Sequence, residues 1–423
     1  MINNEIINTY VEILNEELLV AMGCTEPIAI AYASSVLRNM LKDNPKKIKA
    51  GFSGNIIKNV KSVIVPATGG MHGLSAAICA GVIANAPSRK LEVLCSLKGD
   101  DAEKIKEYHG AVEIEIYEIE TDEAFEVDLV ADGAHVHFEK RHTNITVAEC
   151  DGVDFIDNYS GGQNDTVIGE SVDRSALNVE TIIEFADVVD IETVRPLIKR
   201  QIELNMAIAN EGIKNDWGAC IGKTLLNGTS DVRTKARAYS AAGSDARMSG
   251  CEMPVCIISG SGNQGMTATI PVVIYANEMG ATEEQLIRAL LVSDLITIHQ
   301  KTGIGCLSAY CGAISAGCGA GCGICYLNGG KFREIAHTLV NAVAILSGTI
   351  CDGAKPSCAA KIAMAVEAGI LGYEMMKSGH QFYGGDGIVV KGVENTIRNV
   401  GRLAKEGMSS TDKEIIKIML ETK

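Results

Sequence analysis

Apolar and charged positions alternate at helical spacing through residues 1–40, with a break at Gly23-Cys24 and a restart at Pro27. Proline suits a first helical turn, so the spacing predicts a new helix through Ile28, Ile30 and Ala31 to Leu37. A β-like run, Val60–Val65, then leads into the Pro66–Gly73 loop, and LSAAICAGVIA reads as a helix of small residues. From Lys90 to Val153 the period changes to two: LEVLCSL, VEIEIYEIE, FEVDLVADGAHVHFEKR and TNITVAEC read as strands, with a turn at Asp132-Gly133. A single helix over Asp101–His109 interrupts them. From about Leu177 onward helical patterns dominate, including VETIIEFADVV, IETVRPLIKRQIELNMAIANEGI, EEQLIRALLVSDLITIHQ, EIAHTLVNAVAILSG and KIAMAVEAGILGYEMMK. The pattern predicts an α+β chain: a helical domain from residues 1–86 and 161–423, with a small α+β unit inserted at 87–160. The polar linker Ser160–Thr166 closes the insert.

Composition sharpens this picture. Hydrophobic residues make up 47% of the 423, aromatics only 4%, so the core is aliphatic and alanine-rich and its helices can pack closely. The net charge is −15, with no basic tract, which argues against nucleic acid and anionic membranes as partners. Thr302–Gly330 carries no charge and is long enough to span a bilayer, but its Gly, Ser and Cys content fits a buried helical hairpin better. The opening residues show no secretory pattern. Together with 14 cysteines, this leads us to expect a reducing cytoplasm, where thiols stay free or bind metal.

Seven of those cysteines fall between Cys306 and Cys358. Cys322 and Cys325 form a CxxC that lacks the second pair a zinc ribbon needs, and packing is the plainer role for Cys306, Cys318, Cys322 and Cys325. Cys351 and Cys358 flank the turn at Asp352-Gly353 and Pro356, so their thiolates meet at a helix start, a placement suited to a soft metal centre. At the other end of the chain, Cys24-Thr25-Glu26-Pro27 sits at a predicted helix N-terminus, where backbone N–H groups favour a thiolate; an ordinary cap is the plainer alternative. Ser259–Gly265 offers a glycine-rich turn with amide side chains, but neither a phosphate-loop lysine nor a βαβ context accompanies it. His135 and His137 share one strand face of the insert and are expected to point outward.

Taken together, MGCTEPIAIAYA, VPATGGMHG, SDARMSG, SGSGNQGMTATIPV, ICDGAKPSCAAKIA and NTIRNVGRLAKEGMSSTDKEII resemble the oxygen-sensitive L-cysteine desulfidase family, relatives of the iron–sulfur L-serine dehydratases. The resemblance runs over nearly the whole chain. It implies a [4Fe–4S] cluster held by Cys311, Cys351 and Cys358 with one iron open as a Lewis acid. The Cys351–Cys358 interval is shorter than its counterpart in the dehydratases, and no cysteine follows Cys358 to occupy the open iron. By the same resemblance Cys24 is the acid/base group, with Thr25, Glu26, Ser261, Asn263 and Gln264 holding the substrate. The implied reaction converts L-cysteine to pyruvate, ammonia and sulfide. L-Serine dehydration is the enzymatic alternative, and a non-catalytic electron-transfer or metal-binding protein is the alternative of another class. A homodimer is plausible from the glycine-rich hairpin.

Overall fold

The glycines of GAISAGCGAGCG decide the architecture of the helical part. They lie on the helix Gly312–Leu327, which runs between the helices Glu283–Ile304 and Cys358–Lys377. A Cβ at Gly319 would sit 2.2 Å from Thr297 Oγ1, and one at Gly321 would sit 2.4 Å from the carbonyl oxygen of Gly369. Only a missing side chain permits backbones this close. Helices Ile191–Lys214, Val232–Met248, Gly262–Met279 and Phe332–Leu346 complete the surrounding layer. The computed structural model describes residues 2–121, 123–159, 172–228, 231–305 and 308–421. The linker Ser160–Thr166 and Cys306 lie outside the described residues.

Eight strands occur among the described residues. Strand β1 (Val20–Met22) pairs antiparallel with β8 (Pro254–Cys256), which ties the N-terminal segment to the helical part. The other six, β2 (Lys47–Phe52), β3 (Glu113–Glu118), β4 (Glu126–Ala131), β5 (Ala134–Glu139), β6 (Ile145–Cys150) and β7 (Val153–Asp154), form one sheet in the order β3-β2-β4-β5-β6-β7. Only β2–β3 is parallel. One face buries Val127, Leu129, Val136 and Phe138 in a core shared with the helices Thr25–Met40 and Leu74–Ala84, where Tyr32 meets Phe138 edge-on at 5.2 Å.

The expected α+β architecture is the one observed, with two local corrections. LEVLCSL is not a strand: Pro87–Ser96 forms 3-10 turns that bury Leu91, Val93 and Leu94. A short apolar run satisfies either period, and here Pro87 supplies a helical start. The sheet instead takes in Lys47–Phe52, from outside the 87–160 segment. Val60–Val65 is likewise not a strand; Val60 ends the helix Gly54–Val60, and only Ile64 bridges to His72. No helix among the described residues is long and apolar enough to cross a membrane.

Candidate active site

Four helix starts come together around Cys24. Cys24 is the N-cap of the helix Thr25–Met40, Ser261 that of Gly262–Met279 and Cys311 that of Gly312–Leu327, while Cys358 opens Cys358–Lys377. The contacts between them are specific. Gly312 lies against Gln264, where a Cβ would come within 2.6 Å of the side-chain amide. Gly262 lies against Arg247, with the corresponding distance to Nε at 2.5 Å. Arg247, in the last turn of Val232–Met248, donates from Nε to the carbonyl oxygen of Gly23 at 3.0 Å and from a terminal nitrogen to Thr25 Oγ1 at 3.4 Å. Cys24, Val63 and Met248 pack together, with Cys358 and Ala354 against them. Helix N-termini carry partial positive charge, so the place where they converge favours anions.

The Cys24 thiol donates to Glu26 Oε2 at 3.2 Å, and Asn59 Nδ2 donates to the other Glu26 oxygen at 3.1 Å. Burial pushes the Cys24 thiol well above its ordinary pKa, and the Glu26 carboxylate adds to that shift while Arg247 opposes it. The expectation that the helix start favours a thiolate is therefore corrected: desolvation and the neighbouring carboxylate outweigh the helix dipole. Asn263 and Gln264 both keep a buried side-chain oxygen with no hydrogen-bond donor, and Asn263 Nδ2 reaches only Met248 Sδ at 3.7 Å. Ser261 makes no side-chain cap; its backbone closes a tight turn with Ile258 at 3.0 and 3.2 Å.

A short antiparallel bridge, Tyr310 to Ile350, sets Cys311 beside Cys351, whose backbone N–H groups donate to Thr349 (3.0 Å) and Ala309 (2.7 Å). Gly353, at φ +94°, lets the next turn pass close over the Lys58 carbonyl and leads to Cys358. Lys58 is buried, bonds Asp412 and reaches the Cys351 carbonyl at 3.5 Å. Burial pushes the Cys311 thiol up to about 12, with Cys351 and Cys358 adding to it; burial also raises Cys358. Lys361 donates to the Ile350 carbonyl at 2.8 Å and to Asp352 at 2.6 Å, with its positive charge toward Cys311 and Cys358. Cys311 and Cys358 resist ionisation while neighbouring thiols act on them, which suits a metal centre that takes the place of their protons. By contrast Cys318, Cys322 and Cys325 are buried in the helical core.

Residues 33–417 match the family described as the serine dehydratase alpha chain. The chain belongs to that family. It is 54% identical over 417 residues to a UPF0597 protein of Desulfitobacterium hafniense, covering 97% of this chain and 96% of that one. UPF0597 proteins of Lachnoclostridium phytofermentans and Finegoldia magna are each 46% identical, with 97% of this chain and 99% of each relative covered.

Three residues beside this candidate site were not singled out in the sequence. Arg247 was legible only as part of SDARMSG, and nothing local marked Asn59. His142 comes from the sheet unit. It is 8% exposed, meets Phe125 at a tilt with ring centroids 4.7 Å apart, and lies over Gly260, where a Cβ would come within 2.8 Å of its ring. Burial holds its pKa below the ordinary histidine value, Arg247 acts in the same direction, and Glu26 opposes them. Its Nε2 is buried without a hydrogen-bond partner.

Proposed function

We propose that this protein is a [4Fe–4S]-dependent L-cysteine desulfidase: L-cysteine and water yield pyruvate, ammonia and hydrogen sulfide. The observation that carries the reading is that Cys351 and Cys358 both act on the Cys311 thiol, with Cys311 and Cys358 at two helix starts and Cys351 in the loop that leads to the second, while Cys358 packs against Cys24 of the Cys24–Glu26 pair. These three thiols would hold the cluster. When bound, it supplies a Lewis-acidic iron with a position open to a soft ligand such as the substrate sulfur.

The chain's own groups divide the remaining work. The Arg247 guanidinium and the convergent helix starts attract the substrate carboxylate. The unpartnered oxygens of Asn263 and Gln264 accept from its ammonium group, a donor whose arrival satisfies them both. Cys24 takes the α-proton after passing its own to Glu26 across their hydrogen bond, so the pair carries one negative charge before and after that exchange. Departure of the sulfur leaves aminoacrylate, which tautomerises and hydrolyses outside any step the protein must catalyse. Burial of Cys24, Thr25 and Gln264 keeps bulk water from the proton-transfer path.

Dehydration of L-serine is the second reading, favoured by the description of the matching family. The deciding experiment is anaerobic reconstitution with iron and sulfide, followed by pyruvate and sulfide release from each amino acid. A higher kcat/KM for L-serine than for L-cysteine reverses the order. Failure to take up iron rejects both readings.

A further inference from the structure

The outward face of the six-stranded sheet carries a group of side chains that the desulfidase reading does not use. His135 and His137 stand two residues apart on β5, and Asp128 pairs directly with His137 from β4. His135 Nε2 and His137 Nδ1 both point at the same atom, Asp128 Oδ1, at 2.7 and 3.2 Å. The three donor atoms lie within 4.8 Å of one another, and the group is only half-buried, open to solute from solvent. In a tetrahedral zinc site such donors stand about 3–3.5 Å apart, so a small adjustment suffices.

What surrounds these three points to a cation as well. The outer nitrogen of each ring faces a carboxylate: His137 Nε2 lies 3.4 Å from Glu126, and His135 Nδ1 lies 3.7 Å from Glu149. Metal-ligating imidazoles have this arrangement, because a carboxylate on the far nitrogen fixes the tautomer and strengthens the ligand. The second oxygen of Asp128 is oriented by the Tyr117 hydroxyl, which donates to it at 2.8 Å. Tyr117 reaches across only because β2 has Gly51 at this point; a Cβ there would meet the ring at 2.6 Å.

We propose that Asp128, His135 and His137 form a binding site for a borderline divalent transition metal of the zinc class, separate from the cysteine centre. With two imidazoles and one carboxylate, the donor set suits Zn²⁺ better than Ca²⁺ or Mg²⁺, which prefer oxygen. The cation takes the place of the two protons that now bridge the rings to Asp128, and three nearby carboxylates balance its charge.

The test uses the full-length, iron-loaded protein, incubated anaerobically with zinc chloride and desalted. We expect about one zinc per chain, with X-ray absorption at the zinc edge showing only nitrogen and oxygen neighbours. In H135Q/H137Q the zinc content should drop at least about tenfold while iron is unchanged, and Tyr117→Phe should weaken zinc binding by about tenfold through the lost orientation of Asp128. Sulfur neighbours, no retained zinc, or full retention in the double variant would each overturn the proposal. If the double variant fails to fold, ring NMR of the labelled wild-type protein decides: zinc should shift two of the eight histidines, and a response from none of them, or from others, sinks the site.

Discussion

The Cys24 thiol and the Glu26 carboxylate, two residues apart at one helix start, share a hydrogen bond of 3.2 Å inside a buried site. A thiol so placed is a reluctant acid, and its partner is the group best positioned to receive its proton. Cys24→Ala should keep its iron and visible absorbance yet lose about 10²–10⁴-fold in kcat, the usual contribution of a general acid/base group. Iron content and turnover on one preparation check this. A Cys24→Ala protein that arrives without iron would make Cys24 a ligand.

The pH profile should follow from the same pair. Because the Cys24 thiolate forms by transfer to Glu26 with no net loss of a proton from the pair, the wild-type rate should not wait for the raised Cys24 pKa to be passed. Glu26→Gln removes the acceptor. Its residual activity should therefore be lower and should rise with pH on the alkaline side, where Cys24 must ionise to solvent. A pH profile unchanged from the parent's would detach Glu26 from the proton path.

Cys311→Ala, Cys351→Ala and Cys358→Ala should each lose iron together with activity. Cys322→Ala and Cys325→Ala should keep both and cost only about 1 kcal/mol of stability, since each removes one small buried group. Iron analysis and urea denaturation across the five variants separate ligands from packing residues.

Helix packing should tolerate little at Gly321. Alanine favours a helix over glycine by about 1 kcal/mol, yet its Cβ would lie 2.4 Å from the Gly369 carbonyl oxygen. Overpacking costs about 1–3 kcal/mol and occasionally more. The clash should win, and Gly321→Ala should lower Tm and disturb iron binding through Cys311 on the same helix.

Asp294 is fully buried, with Oδ1 accepting from Gln201 at 3.0 Å and Oδ2 unpartnered; burial raises its pKa from 3.8 to about 7. Between those values the folded state binds a proton that the unfolded state lacks. Its contribution to stability is complete below about pH 4 and is lost as pH rises through about 7. Asp294→Asn mimics the protonated form and should be more stable than the parent at pH 8 but not at pH 5, as urea titrations at the two values would show.

The chain's periodicities determined its elements and class. The helix Val179–Val188 and strands β4 and β5 are local patterns, because each buries one face of a fixed period. The glycine run around Gly319 likewise announced close packing, and CTEP announced a helix start. Tertiary structure decided the rest, since those outcomes depend on what lies across a contact rather than along the chain. LEVLCSL became helical turns after Pro87, and the place in the sheet beside β3 went to Lys47–Phe52. The Cys24 pKa is raised rather than lowered because burial and Glu26 outweigh the effect its place at a helix start promised. Arg247, Asn59 and His142 come from a helix end, a loop-flanking helix and a strand turn, and only folding brings them around one buried pair. The pattern also showed that His135 and His137 share a strand face. The pairing of β4 with β5 is what set Asp128 between them.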